Sequence, residues 1–394
     1  MKEKIAAAFS CIFILCGLWA IFQILLADGG GLGLTNMNNV FVFGLWIVCD
    51  LSLIALGSGA FCTAILYYAF KRRHLKPLLP LSVALGLLCY GCAGYILLLE
   101  IGQPLRFWFP FAHPNFVSML TEITFCISIY SMVLALEFLP SLLGHKRLQG
   151  LPRAAALKHK LLLLMPVLAL AGAILSILHQ GSLGGVYGAL FARPFSFRPA
   201  LGIWPWTFVL FTVSAMAAGP LFVGLTARLI EYFGKKEILD AANRAELSRF
   251  ASIMLGLTLI LKAADLLLWS KWLLPRQGLD FEMMFNGIAY GQWLIWAELV
   301  PFTLLPLILL GAPRLRARPR VFPFAALLAC AGLILNRYTT NMLTLAGPTF
   351  PFESWELYWP NFIEVAPVLM AVGIFILTLL FLYKQGILVQ PSDK

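Results

Sequence analysis

The sequence predicts an all-α protein that crosses a membrane about ten times, and three observations carry that reading. Of its 394 residues, 61% are hydrophobic and only 12% are charged, against roughly 45–50% and about 25% in soluble domains. The apolar residues fall in continuous runs of about twenty, the length that spans a bilayer as a helix. Basic residues sit in short clusters between those runs and alternate in density from one gap to the next. A β-barrel would instead show short segments of alternating polarity. In lipid the backbone must satisfy its own hydrogen bonds, which leaves the helix as the spanning form.

Spans are expected at residues 5–26, 42–70, 78–100, 117–143, 158–178, 204–233, 249–273, 286–311, 321–343 and 360–384. Together they make residues 1–394 a single integral membrane domain. The first run follows Lys2 and Lys4 but is longer than a signal-peptide core, so it reads as a retained helix. Alternating gaps carry 22 and 6 Lys and Arg residues, with Lys262 inside a span. The richer side includes Lys71–Arg73, Lys146–Arg147, Lys235–Lys236 and Arg314–Arg320; the poorer side has Arg106, Arg193, Arg198, Lys271, Arg276 and Arg337. The positive-inside rule puts the rich side, and with it both termini, in the cytoplasm. The net charge of +11 is thus explained by topology, and nucleic acid is excluded as a partner.

The outer gaps differ in kind. Residues 28–41 are rich in Gly and Asn, 101–116 in aromatics with Pro and His, 179–203 in Gly, Arg and Phe, and 347–359 in aromatics with acids. Orientation does not require such side chains, which makes these loops candidates for contact chemistry. Trp108, Trp204, Trp206, Trp355 and Trp359 equally suit an interfacial aromatic belt. All eight cysteines lie in apolar runs; Cys89 and Cys92 form a CxxC that reads as small packing residues, so no metal site is expected. Haem would need a facing pair of histidines inside the membrane. His74, His145 and His159 fall at the basic side and His113 in an outer loop, leaving His179 alone at the outer end of a span.

Charges inside a span are costly and usually face a cavity. Asp50, Glu100, Glu122, Glu137, Lys262, Asp265, Glu298 and Glu364 are so placed. Lys262 and Asp265, three apart on one helix face, are expected to form a structural ion pair. Glu137 reads as a residue of a cytoplasmic helix end. Asp50, Glu122, Glu298 and Glu364 lack a cationic partner in their own helix, and are candidate proton carriers or inter-helix hydrogen-bonding groups. Trp46 is one turn before Asp50 on the same face. His179, Glu122, Asp50 and Trp46 are expected at similar depth near the outer ends of the second to fifth helices.

The segments GLWIVCDLSLIALGSGAF, YILLLEIGQPLRFWFP, SMLTEITFCISIYSMVLALEFLP, HQGSLGGVYG, LKAADLLLW, WLIWAELVPFTLLPLILL and FPFESWELYWPNFIEVA occur in that order over residues 30–385. In this ordered set the chain resembles the NrfD/PsrC family of quinone-interacting membrane subunits, in the ten-helix branch typified by the membrane subunit of periplasm-facing nickel–iron hydrogenase. That branch has arginine and glutamate where this chain has Lys262 and Asp265. The resemblance implies two four-helix bundles, about 42–178 and 204–343, flanked by the first and last helices. It implies a haem-free, metal-free subunit of a respiratory complex in a bacterial or archaeal inner membrane. A quinone, menaquinone first, would bind near the periplasmic face, and an iron–sulfur, ferredoxin-like subunit would dock there beside further catalytic or cytochrome subunits. His179 and Gln180 would donate to the quinone, Trp46 and Arg106 would wall it, and Asp50, Glu100, Glu122, Glu298 and Glu364 would carry protons. Arg106 and Arg198 are expected to contact the docked subunit. Two alternatives are a secondary transporter, for which Gly57, Gly59 and Gly219–Pro220 would be helix breaks, and a purely structural anchor.

Overall fold

The structure, a computed structural model, describes residues 2–26, 30–148, 150–201, 204–234, 238–285, 291–348 and 354–388. The expected start of the eighth span at 286, and Lys235, Lys236 and Lys394 of the basic set, lie outside them. Ten helices are long and apolar enough to cross a membrane: α1 Lys2–Leu26, α2 Leu45–Tyr68, α3 Arg73–Glu100, α4 Met119–Leu143, α5 Pro152–Gly188, α6 Thr207–Phe233, α7 Ala241–Arg276, α8 Trp293–Gly311, α9 Val321–Ala346 and α10 Phe362–Lys384. The chain is a multi-pass membrane protein. Among the described residues the only strands are β1 (Ala200–Leu201) and β2 (Trp204–Pro205), an antiparallel pair in the α5–α6 connector.

Helix α1 lies along α10, and its outward face carries exposed Phe9, Ile12, Leu15 and Phe22. Such a face is stable only against lipid or another protein. Lys384 pairs with Glu3 at 3.0 Å and Arg72 with Glu246 at 3.0 Å. These contacts gather the ends of α1, α2, α7 and α10 that carry the basic clusters. At the opposite end the Glu364 carboxylate caps its own helix with Asn361, accepts from the Asn36 backbone N–H at 3.0 Å and takes the Tyr358 hydroxyl. The Trp46 indole donates to the Glu364 carbonyl at 2.8 Å. The starts of α2 and α10 and the 30–44 segment are thereby one hydrogen-bonded unit.

Two features differ from the sequence expectation. Helix α5 runs ten residues past the expected end, so His179 and Gln180 lie within it rather than at its terminus. The glycines of GSLGG, which suggest a loop, are there for close approach to α6. A Cβ on Gly184 would sit 2.5 Å from the Thr207 carbonyl oxygen, and one on Gly188 2.2 Å from Thr207 Oγ1. We expect Gly184→Val to lower the thermal stability of the detergent-solubilised chain by about 1–3 kcal/mol, the cost of overpacking, while Gly91→Ala, with open space around it, leaves it unchanged. The second difference is at Ser58, where α2 is locally irregular. There α2 crosses α6 so closely that a Cβ on Gly59 would stand 2.4 Å from the Gly219 carbonyl, and Ser58 donates to the Ala215 carbonyl at 2.7 Å. These glycines serve a helix crossing.

Candidate functional site

Four helices bring polar groups to one place inside the apolar core. Asp50 is six residues into α2; Tyr90 is on α3; Tyr130 is on α4; Ser176, His179 and Gln180 are on α5. Each is at most 1% exposed. The Tyr90 ring meets the Tyr130 ring edge-on at 4.7 Å and the His179 imidazole at 5.4 Å. The Tyr90 hydroxyl is within electrostatic reach of Asp50, and Asp50 of Glu100 at the end of α3. Among the described residues, one oxygen of Asp50, both nitrogens of His179 and both amide atoms of Gln180 have no hydrogen-bond partner, while the Ser176 hydroxyl lies within hydrogen-bonding reach of those of Tyr90 and Tyr130, and Glu100 within reach of the backbone N–H groups of Gly44 and Ile47. Buried polar groups are nearly always satisfied, and each one left bare costs about 1–3 kcal/mol. A concentration of them at one spot is characteristic of a place where a ligand or water completes the set.

Tyr90 has a second side. It is also part of the wall of a cavity of about 800 Å³ between α3, α4 and the 101–111 connector, lined by Gly91, Gly94, Tyr95, Arg106, Phe107 and Phe111 among others. That volume lies within the range of small-molecule sites. Gly91 and Gly94 leave a smooth strip along α3, and Thr124 and Ser128 supply polar atoms on α4. The connector bends there into short helical turns whose Leu105, Phe107, Trp108 and Phe109 are exposed. A side-opening, aromatic-walled cavity in a membrane protein is suited to a ligand that arrives from lipid.

The expected site residues are thus divided. Asp50, Glu100 and His179 share the buried cluster, Gln180 is buried beside His179 in α5 with no hydrogen bond to that cluster among the described residues, and Arg106 lines the cavity. Trp46 spends its one donor on the Glu364 carbonyl. Glu364 is a helix cap and clamp. Glu122 is half-buried in a separate groove with Phe116, Phe125 and Trp204, outside the cluster it was expected to join. The expected ion pair is replaced by two others: Lys262 reaches Glu298 at 3.0 Å, and Asp265 is held by Arg198 through bonds of 2.6 and 3.1 Å. Both residues share a helix side as the spacing requires, but partners from other elements outcompete the local pairing. Arg198, expected on the outer surface, is 9% exposed and engaged inward; Arg337, counted with the outer side, is 1% exposed within α9. Sequence reasoning missed Tyr90, Tyr130 and Ser176. A hydroxyl recurring in the otherwise apolar stretches CYGC, SIYS and LSILH was the available signal.

Ten helices of membrane-spanning length with a buried polar cluster beside a cavity of about 800 Å³ define the class: a multi-pass helical membrane protein with a candidate ligand site. The family model described as "Polysulphide reductase, NrfD" matches residues 33–346, and the chain belongs to that family. It is 43% identical over 378 residues to the "Menaquinone reductase, integral membrane subunit" of Nitratidesulfovibrio vulgaris, covering 96% of this chain and 90% of that protein. More distantly, it is 25% identical over 376 residues to the "Probable Ni/Fe-hydrogenase 2 b-type cytochrome subunit" of Escherichia coli, covering 90% and 86%. It is 23% identical over 382 residues to a selenate reductase subunit of Mesobacillus selenatarsenatis, covering 88% and 86%.

Proposed function

We propose that this chain is the quinone-interacting membrane subunit of a multi-subunit respiratory oxidoreductase, with menaquinone as its quinone. The observation that carries the reading is Tyr90, which lines the cavity on one side and on the other meets the imidazole of His179, both of whose nitrogens lack a partner among the described residues. The likeness to a menaquinone reductase subunit supports it independently.

The residues fit the group. An isoprenoid tail suits the strip of Gly91 and Gly94 and the aromatics of the connector; a two-carbonyl headgroup suits the donors of Tyr90, His179 and Gln180. A bound quinone supplies two-electron, two-proton redox chemistry. Within this chain His179 and Tyr90 orient the headgroup by donating hydrogen bonds, the apolar walls exclude bulk water, and Asp50 and Glu100 hold or release protons beside them. Electrons come from or go to an iron–sulfur subunit docked on the connectors 101–118 and 189–206. Those connectors lie at the end opposite the basic clusters, which by the positive-inside rule is the periplasmic face of an inner membrane.

Filling the strip tests the reading. Gly94→Leu places a side chain in the cavity, whose nearest wall atom to a Cβ there is Ile127 at 4.0 Å. The variant is expected to fold normally and bind a menaquinone analogue at least about tenfold more weakly, followed by fluorescence quenching of the purified chain. Unchanged affinity would remove the quinone from this cavity. For orientation, Leu105→Cys and Arg316→Cys in intact cells are expected to react with a membrane-impermeant thiol reagent only at the former; equal labelling would contradict the assigned sidedness.

A further inference from the structure

We propose that the chamber enclosed by α6, α7, α8 and α9 is a hydrated proton-exchange site, with Lys262 and Glu298 as its exchanging pair. It is separate from the quinone cluster, and it gives the expected proton-carrying Glu298 a partner and an aqueous chamber.

The chamber has a volume of about 80 Å³, enough for a few water molecules, since one needs roughly 10–15 Å³ on this measure. A water also needs two to four polar partners, and three buried atoms among its lining residues lack one: Glu298 Oε2, Thr339 Oγ1 and Thr207 Oγ1. Those of Glu298 and Thr339 come from α8 and α9, while Thr207 on α6 lines the chamber with its hydroxyl beside Gly188 of α5.

The two ion pairs on its wall are not alike. Asp265 receives both of its oxygens' bonds from Arg198, which also donates to the Phe195 and Phe197 carbonyls at 2.9 and 2.8 Å. Four of that guanidinium's five N–H groups are engaged, and it does not lose its proton. Lys262 meets Glu298 through a single oxygen, Oε1, at 3.0 Å. Asn336 donates to the same oxygen at 2.9 Å, leaving Oε2 free. The Lys262 side chain is 21% exposed, which provides a way in and out.

Backbone geometry marks the same spot. Directly after Glu298 the helix widens into a π-helical turn, Val300–Leu304, in which Thr303 donates to the Glu298 carbonyl at 2.8 Å. A second such turn, Trp269–Leu273, follows Asp265. Turns of this kind are rare and concentrate at functional sites.

The exchange balances. A proton moving from the Lys262 ammonium to the Glu298 carboxylate leaves a neutral amine and a neutral acid. The acid then yields the proton through Oε2 to chamber water, and the amine takes a new proton from water on its exposed side. The charged groups around Glu298 are Lys262 and Asp265 from α7, Arg198 from the α5–α6 connector and Arg337 from α9; α6 presents only the hydroxyls of Thr207 and Ser214.

Infrared difference spectroscopy on the purified full-length chain, titrated between about pH 5 and 9, tests this. We expect a carboxylic-acid carbonyl band that appears as the pH falls and shifts promptly in D₂O. Glu298→Gln should abolish it while leaving menaquinone-analogue binding within about twofold of the parent. Lys262→Gln, which removes the counter-charge, should raise its midpoint by at least about one pH unit. Should Glu298→Gln fail to fold, Glu298→Asp must move the band's frequency. A spectrum with no such band, a band that survives Glu298→Gln, or a midpoint indifferent to Lys262→Gln would overturn the proposal. Failure there with intact analogue binding would leave the quinone reading standing.

Discussion

Arg198→Ala is expected to destabilise the protein more than any other single change considered, by about 3–5 kcal/mol. Breaking one side of a buried ion pair leaves the other charge without compensation, and costs of that size follow. Here the stranded group is Asp265, whose carboxylate side chain is 7% exposed and takes both its bonds from Arg198. The Phe195 and Phe197 carbonyls lose their donor in the same event. Arg198 also lies 5.4 Å from the Trp269 ring, whose indole donates to the Pro194 carbonyl at 2.8 Å. The α5–α6 connector would keep the Trp269–Pro194 bond but lose its ionic attachment to α7. The measurement is the thermal midpoint of the full chain in detergent. The double variant Arg198→Met with Asp265→Leu is expected to recover most of the loss, because replacing both charges by apolar groups removes the desolvation penalty along with the attraction. A loss below about 1 kcal/mol for the single variant would mean that water reaches Asp265 freely.

That residue illustrates what the sequence could and could not disclose. Ten spans were legible because lipid imposes a length and a composition on each helix, and both survive in the linear order of residues. Helix α5 was underestimated because a glycine cluster has two meanings. GSLGG is loop-forming by propensity, yet in α5 those glycines are contact points for Thr207, Phe208 and Phe211. Only the neighbouring helix decides between the two.

Charges divided in the same way. Asp50, Glu100 and His179 announced themselves because an ionisable group in an apolar run is expensive wherever it points. Their partners were a matter of tertiary structure. Lys262 and Asp265 share a face, but Lys262 reaches across to α8 and Asp265 to the connector. Arg198 and Arg337, both counted with the outer side, are interior groups. Arg337 is held by Asn336, the Phe211 carbonyl and Ser214, with its guanidinium 3.7 Å above the Phe211 ring. Glu122 is not a cluster member: α4 contributes Tyr130, eight residues further along, and Glu122 faces the groove with Phe125 and Trp204. Tyr90 and Tyr130 were passed over because tyrosine in a span is ordinary; their meeting with His179 is what gives them significance.

The second large effect is expected at Asp50. Asp50→Leu should lower quinone-linked electron transfer in native membranes by about a hundredfold or more, the scale on which a positioned proton donor or acceptor acts. Affinity for a menaquinone analogue should stay within about threefold, because the headgroup donors proposed here are on α3 and α5 rather than α2. Asp50→Asn sharpens the assignment. It keeps the volume and can still bond its neighbours, so a purely structural Asp50 would tolerate it, whereas a proton-carrying one would not. Glu100, close enough to feel the charge of Asp50, is the group best placed to substitute for it. Glu100→Gln alone is therefore expected to have a smaller effect than Asp50→Asn, and the double variant to fall below either. The cycle also separates two routes. If the two losses simply add, Asp50 and Glu100 serve the quinone independently. If the double variant is no worse than Asp50→Asn, they lie in series on one path. Retention of full turnover by Asp50→Asn across the pH range would remove Asp50 from proton transfer and leave it as a hydrogen-bonding group of the bundle.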